Sequence, residues 1–307
     1  MPTETVYGLA ANALDPLACT AVYALKGRPA DNPLIVHVWD LGHAQTLART
    51  DSRAEQLAGD FWPGPLTLVL ERKDGLGTVA LRAPVHPVAR QLIWLSERPL
   101  AAPSANLSGR PSPTTAQHVA EDLGGTPVLI LDGGPSAFGL ESTVVDLTKN
   151  PAAILRPGAV SAEALAAYGV EASASGSRPP SPGTRYRHYR PRVPLVVLVD
   201  GARGRAADAL GPWARDLSSR GEVVACLAVG AGLPEGVLGR SFPSVEAMAT
   251  GLFAAFRELE NEASVIVVAA PGAEGLGRAI RDRLWRAAGG VFRTAGEPVQ
   301  PELERGD

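Results

Sequence analysis

Four short segments of this 307-residue chain gather side chains suited to binding phosphate, carboxylate or a nucleotide. In the first, PTETVYGLAANA runs on to LKGRPADNPLIVHV, and Lys26 and Arg28 stand one residue apart in a Gly-Pro turn context at the end of a helix-like stretch. Two cations so placed can meet one anion from a loop. They read equally as two solvated surface charges. The second is LAAPSANLSGRPSPTT, where Ser104, Asn106, Ser108 and Ser112 supply compact donors and acceptors. Gly109, Pro111 and Pro113 let backbone amides there face a polyphosphate; an ordinary capping loop leading to a helix at Thr114 has the same composition. The third joins GLESTVVDLT to AILRPGAVS, with Ser142 and Thr143 on a strand and Arg156 in an Arg-Pro-Gly turn. The fourth, SPGTRYRHYRP, alternates Arg185, Arg187 and Arg190 with Tyr186, His188 and Tyr189. Such a segment can wrap phosphates and stack a base, or serve as a basic tether.

Other chemistries lack their residues. The sequence contains no GxxxxGK[ST] loop, GxSxG elbow or HExxH helix, so P-loop hydrolysis, serine-hydrolase and zincin mechanisms have no support. His37, His43, His86, His118 and His188 are scattered, and Cys19 and Cys226 are far apart, which suggests neither a metal site nor a disulfide framework. Any metal is expected to be Mg²⁺ carried on phosphate oxygens, with no dedicated protein site.

The elements that must position these residues are α/β in pattern. Apolar runs at 65–71, 99–103, 127–131 and 142–147 read as strands, and amphipathic stretches at 16–25, 52–61, 85–96 and 114–123 as helices. A Pro-, Ser- and Gly-rich stretch then marks a linker over 171–192, between a domain at 1–170 and another at 193–307. In the second domain PLVVLVD, EVVACLAVG and SVIVVAAP are separated by helix-like 206–219 and 245–260 and followed by 277–288, a pattern for a small parallel sheet with crossover helices. It is Rossmann-like in architecture only, because DGARGRAAD after its first strand is not GxGxxG.

Net charge is −3, and five arginines without an acid fall in residues 173–192, between two mildly acidic bodies. A surface wholly committed to nucleic acid needs an excess of cations, so double-stranded RNA binding as the main function is disfavoured. No apolar run approaches the ~20 residues of a membrane span, and no leader pattern precedes PTETVYG, which reads as a cytoplasmic protein without a membrane partner.

Taken in this order, PTETVYGL, KGRP with NPL and His37, PSAN with SG, LESTVVD, LRPG and SPGTRYRHYRP resemble the YrdC-like threonylcarbamoyl-adenylate synthases, in the long form with an additional C-terminal domain. The resemblance spans nearly the whole chain and implies a twisted mixed sheet in the first domain. It implies an enzyme that joins L-threonine, bicarbonate and ATP into threonylcarbamoyl-AMP and pyrophosphate, for a transferase complex that modifies tRNA adenosine at position 37. Direct tRNA binding is not implied. The resemblance places Thr5, His37, Arg82, Ser142 and the backbone near Ala102 against threonine. It places Arg28, Asn32, Thr78, Ser104, Asn106, Ser112, Arg156 and Tyr189 against ATP, with Lys26, Arg28 and Arg156 stabilising charge during the reaction. Arg82 is expected to form a bidentate pair with the amino-acid carboxylate. Members of the family usually carry a helix and a strand ahead of the PTET segment, and these are expected to be missing from a chain that opens Met1-Pro2-Thr3. Carbamoyl-phosphate-dependent adenylating enzymes share the first domain, but this chain lacks the zinc-finger-like cysteines that accompany it there.

Overall fold

The computed structural model describes residues 1–172 and 188–297. These fall into two compact units: 1–108 with 112–172, and 109–111 with 188–297.

The first unit contains, in chain order, β1 (Ala11–Asn12), α1 (Pro16–Lys26), β2 (Ile35–His37), α2 (Leu41–Leu47), α3 (Ser52–Phe61), β3 (Leu66–Glu71), β4 (Thr78–Arg82), α4 (Pro87–Ser96), β5 (Leu100–Ala101), α5 (Ala116–Leu123), β6 (Thr143–Asp146), β7 (Ala152–Arg156), α6 (Ala162–Ala166) and β8 (Val170–Ala172). All of its helices but α4, which His86 caps, start where short polar side chains satisfy orphaned N–H groups. Asp15 accepts from Leu17 and Ala18, Asp51 from Ala54, Thr115 from His118 and Ser161 from Ala164. Its strands form an eight-stranded mixed sheet in the order β1-β5-β2-β4-β3-β6-β7-β8.

Strand alternation divides that sheet into two chemically different faces. One carries Val36, Val38, Val79, Leu81, Leu66, Leu68, Leu70, Val145 and Ile154, packed against Ala44, Ala54, Leu57, Ala58 and Leu165 of the helices. Because side chains alternate with period two, the intervening residues point the other way. Those are His37, Thr78, Arg82, Thr67 and Val144, aligned by the registers His37↔Arg82, Val69↔Ala80 and Thr67↔Val144; a register shift in the β6/β7 ladder, which pairs Val145 with Ile154 but Val144 with Arg156, brings Arg156 to the same face. A single strand such as LTLVLE thereby serves core and site at once.

Residues 127–131, read as a strand from their apolar run, form none. The run pairs with no neighbouring strand; Val128 and Ile130 instead pack on Tyr7, Ala105, Val119 and Leu123. β2, β4, β7 and β8, three to five residues long, were not read as strands from the sequence.

The second unit contains β9 (Leu195–Val199), α7 (Ala206–Ser219), β10 (Val224–Val229), β11 (Leu238–Phe242), α8 (Val245–Leu259), β12 (Val265–Ala269), α9 (Leu276–Ala287) and β13 (Arg293–Thr294). All its strand pairs are parallel, in the order β11-β10-β12-β9-β13. The sheet thus holds five strands where three apolar runs were legible. The edge strand β11 exposes four of its five side chains, so no hydrophobic run marks it. At the first turn of α7, Asp200 Oδ1 accepts from the Ala206 N–H at 2.7 Å, putting a carboxylate where a dinucleotide fold would seat a phosphate.

Leu81 is fully buried at the centre of the apolar face. Leu81→Ala is expected to lower the unfolding free energy by about 2–5 kcal/mol, measured by urea titration, because the sheet and helices on either side relax only in part.

Candidate functional site

The polar face of the first unit's sheet and the loops over it bring most of the candidate residues together in three groups. The first is built on Arg82, only 3% exposed. Its Nη2 donates to Glu4 Oε1 at 2.5 Å, its Nη1 to Thr5 Oγ1 at 2.8 Å and its Nε to the Gly64 carbonyl at 3.2 Å. Glu4 also accepts from the Val85 N–H, and Thr3 Oγ1 lies 2.9 Å from Thr5 Oγ1. The bidentate pair expected for Arg82 thus meets a partner already present within the chain: much of its guanidinium is committed to Glu4, Thr5 and Gly64. His37 neighbours Arg82 in the β2/β4 register, is 3% exposed and has no hydrogen-bond partner at Nδ1. Burial, and next the positive charge of Arg82, push its pKa down to about 3, so the imidazole is neutral at physiological pH.

The second group joins β3, β6 and β7. Ser142 Oγ lies 2.8 Å from Thr67 Oγ1, and Arg156 donates to both the Ser142 carbonyl and its hydroxyl, at 3.0 and 3.1 Å. Ser112 donates to the Glu141 carboxylate at 2.5 Å. Gly158 explains the Arg-Pro-Gly turn: a Cβ there would sit 2.3 Å from the Thr143 nitrogen and 2.4 Å from the Glu141 oxygen, so only glycine lets the turn lie against the strand bearing Ser142. The Gly64-Pro65 segment links the first two groups, its Gly64 carbonyl on Arg82 and its Pro65 carbonyl on the Thr143 N–H.

In the third group Lys26 and Arg28 part company. Lys26 ends α1, and its ammonium is turned inward onto the carbonyls of Ser104 and Asn106, 2% exposed. Burial, and next the nearby Arg28 charge, bring its pKa down to about 7. Past Gly27, which closes the helix in the left-handed conformation, Arg28 is half-buried and donates to the carbonyls of Asn32 and Pro33, each at 3.1 Å. Ser104 Oγ donates to Asn106 Oδ1 at 2.5 Å, and Ser108 N to the Lys26 carbonyl. Lys26 is therefore the fastening of the Ser-Ala-Asn loop as well as a charge near it. The β2/β4 register continued back two residues sets exposed Thr78 beside Pro33, at the Arg28 end of the strands. Ala102 donates its N–H to the Ile35 carbonyl and so closes the sheet rather than presenting that amide.

Tyr189 belongs to the second unit. Its ring stacks on Phe253 with centroids 5.3 Å apart, the Arg283 guanidinium lies 5.6 Å from its centre, and its backbone is held at φ 66°. The aromatic ring expected against the nucleotide is thus already packed on α8 and α9. Arg185, Tyr186 and Arg187 lie outside the described residues.

Thr3, Glu4, Thr67 and Glu141 were not singled out by sequence. Glu4 and Glu141 stood inside the motifs, as acids beside hydroxyl residues, but charge alone does not reveal burial. Thr67 had a sharper signal: it is the polar residue inside an otherwise apolar strand.

Residues 1–158 match the family model described as telomere recombination, shared by Sua5, YciO and YrdC, and residues 160–289 match the C-terminal domain of threonylcarbamoyl-AMP synthase. The chain belongs to the threonylcarbamoyl-AMP synthase family. It is 43% identical to the threonylcarbamoyl-AMP synthase of Pyrococcus abyssi, over 94% of this chain and 89% of that one. Identity to the Bacillus subtilis synthase is 40%, over 94% and 88%. The crystal structure of P. abyssi Sua5 complexed with L-threonine is similar with a TM-score of 0.89 at 39% identity, over 95% of this chain and 91% of that one. Among the described residues no helix is long and apolar enough to cross a membrane.

Two outcomes follow for this family member. Glu4→Ala leaves Arg82 buried without its counter-charge, and is expected to cost about 3–5 kcal/mol of stability by denaturant titration. Because His37 has a lower pKa folded than unfolded, the stability it supports is complete above pH ~6.5 and is lost as pH falls from there towards 3, by up to ~1.4 kcal/mol per pH unit. His37→Gln is expected to flatten that fall in urea midpoints measured across the window.

Proposed function

We propose that this chain is a threonylcarbamoyl-AMP synthase, acting on L-threonine, bicarbonate and ATP. The observation that carries the reading is the buried polar face of the first unit's sheet, within a chain 43% identical to a synthase over 94% of its length. Along β4, Thr78 and Arg82 are four residues apart, about 13 Å at strand spacing, which separates an Arg28–Asn32–Thr78 end from a Thr5–His37–Arg82 end. That span suits a nucleotide at one end and an amino acid at the other.

The chemistry asks the protein for position and charge rather than a nucleophile. The threonine amine adds to the bicarbonate carbon, a C–N bond forms, and hydroxide leaves as water with a proton from the nitrogen. A carbamate oxygen then attacks the α-phosphorus, the bond to the bridging oxygen breaks, and pyrophosphate departs. Arg82, held flat by Glu4 and Gly64, offers its remaining N–H groups to the substrate carboxylate, and Thr5 and Ser142 offer hydroxyls that select the threonine side chain. Arg28 and Arg156 offset the charge that grows on the phosphate oxygens, and Lys26 keeps the Ser104–Asn106 loop against them. Mg²⁺ enters as part of the substrate, MgATP. No three His, Cys, Asp or Glu side chains among the described residues are grouped to hold an ion of their own, and phosphate oxygens and water supply the hard ligands Mg²⁺ prefers. The unstable product passes to a tRNA-modifying transferase complex, and the cytoplasm is where that acceptor is met.

Pyrophosphate release by the purified chain tests the reading. Release requiring both L-threonine and bicarbonate supports it; release driven by carbamoyl phosphate, or none from folded protein, overturns it. In the same assay Arg28→Ala is expected to raise KM for ATP by about tenfold or more while KM for threonine changes little, since its fork lies at the Thr78 end of the strands.

A further inference from the structure

The second unit includes three residues from within the N-terminal half, Gly109–Pro111, and holds every one of them. The Gly109 carbonyl accepts from the Arg190 N–H at 2.8 Å. The Arg110 fork lies on the Glu260 carboxylate, Nη1 to Oε2 at 2.8 Å and Nη2 to Oε1 at 2.5 Å. The Pro111 carbonyl accepts from Arg257 Nη2 at 2.6 Å. Arg257 and Glu260 stand three residues apart at the end of α8, so they share a helix face. They are 4% and 8% exposed, and Glu260 also accepts from the Arg192 N–H at 2.8 Å.

The tripeptide lies between Ser108 and Ser112, inside the loop that carries Ser104, Asn106 and Ser112. Pro111 and Pro113 donate no N–H, and Gly109 sits at φ 91°, so this stretch has few means of ordering itself. It is fastened on one side by Ser108 N on the Lys26 carbonyl and on the other by Tyr7 N on the Pro113 carbonyl. The tip between them is held by α8.

We propose that Arg257 and Glu260 are positioning residues for ATP, ordering the tip of the 104–112 loop before the nucleotide arrives. The inference rests on the reading of that loop as part of the ATP site. Without the clamp, binding has to order the tip itself, and affinity falls by that cost. An interaction that only supported the fold would affect both substrates alike.

Calorimetry on the full chain, titrating MgATP and L-threonine separately, distinguishes the two. Glu260→Gln is expected to weaken ATP binding about tenfold and leave threonine binding within about twofold. Arg110→Met should do the same, and the double variant should be no worse than either single one, because both remove one interaction. Unchanged ATP affinity, equal losses for ATP and threonine, or additive losses would each overturn the proposal. If Glu260→Gln fails to fold, Arg110→Met and Arg110→Lys carry the comparison from the more exposed end of the pair; lysine keeps the charge but not the fork and should fall between methionine and wild type. Wild-type chain that binds no ATP would sink the reading of the loop and this inference together, whereas wild-type binding with indifferent variants sinks the clamp alone.

Discussion

A guanidinium withdrawn from water has to be matched in charge and in hydrogen bonds, and in the first unit Arg82 imposes that requirement on two distant stretches of chain. Glu4 supplies the charge from the N-terminal loop, Gly64 a carbonyl from the turn before β3, and Thr5 a hydroxyl beside Glu4. Val85, just past β4, closes the circuit on the second Glu4 oxygen. Leaving any of these groups unmatched in a buried setting costs more than the interaction contributes when made, so the network specifies one arrangement of the loops. The same pairing cancels most of the guanidinium's charge and leaves directional N–H groups in its place.

Two buried bases show how the site tunes charge through burial. His37 stays neutral first because it is buried and next because Arg82 beside it is already charged. Lys26 is brought to the edge of neutrality by burial and Arg28, yet its three donors are met by loop carbonyls and the Asn106 side chain. Lys26, at about 7, is poised so that an anion brought nearby favours its charged form, whereas His37, at about 3, stays neutral.

The second unit treats its own cations in the same manner. Arg283 is fully buried against Asp282 and the face of Tyr189, and Arg286 pairs with Asp282 one turn on. Tyr189 is held in a left-handed backbone conformation that costs a non-glycine residue free energy, and stacking on Phe253 and Arg283 offsets it. Here the parallel sheet is a platform, and the polar groups that matter stand on the ends and faces of α8 and α9.

The motifs themselves were legible in the sequence: the order of PTET, Lys-x-Arg, Ser-x-Asn, ESTVVD and Arg-Pro-Gly marked both the family and the candidate residues. So were the longer helices, since 52–61 and 206–219 carry a full amphipathic period and the first of them a local capping residue, Asp51. These features are local, and short-range composition determines them. What only the tertiary structure decided is which groups meet. Glu4 finds Arg82 across 78 positions, Ser142 finds Thr67 across 75, and Arg110 finds Glu260 across 150. Each side chain by itself reads as an ordinary solvated polar group; burial turns it into a partner that must be satisfied, and burial is a property of strand order and packing that no single stretch of sequence contains.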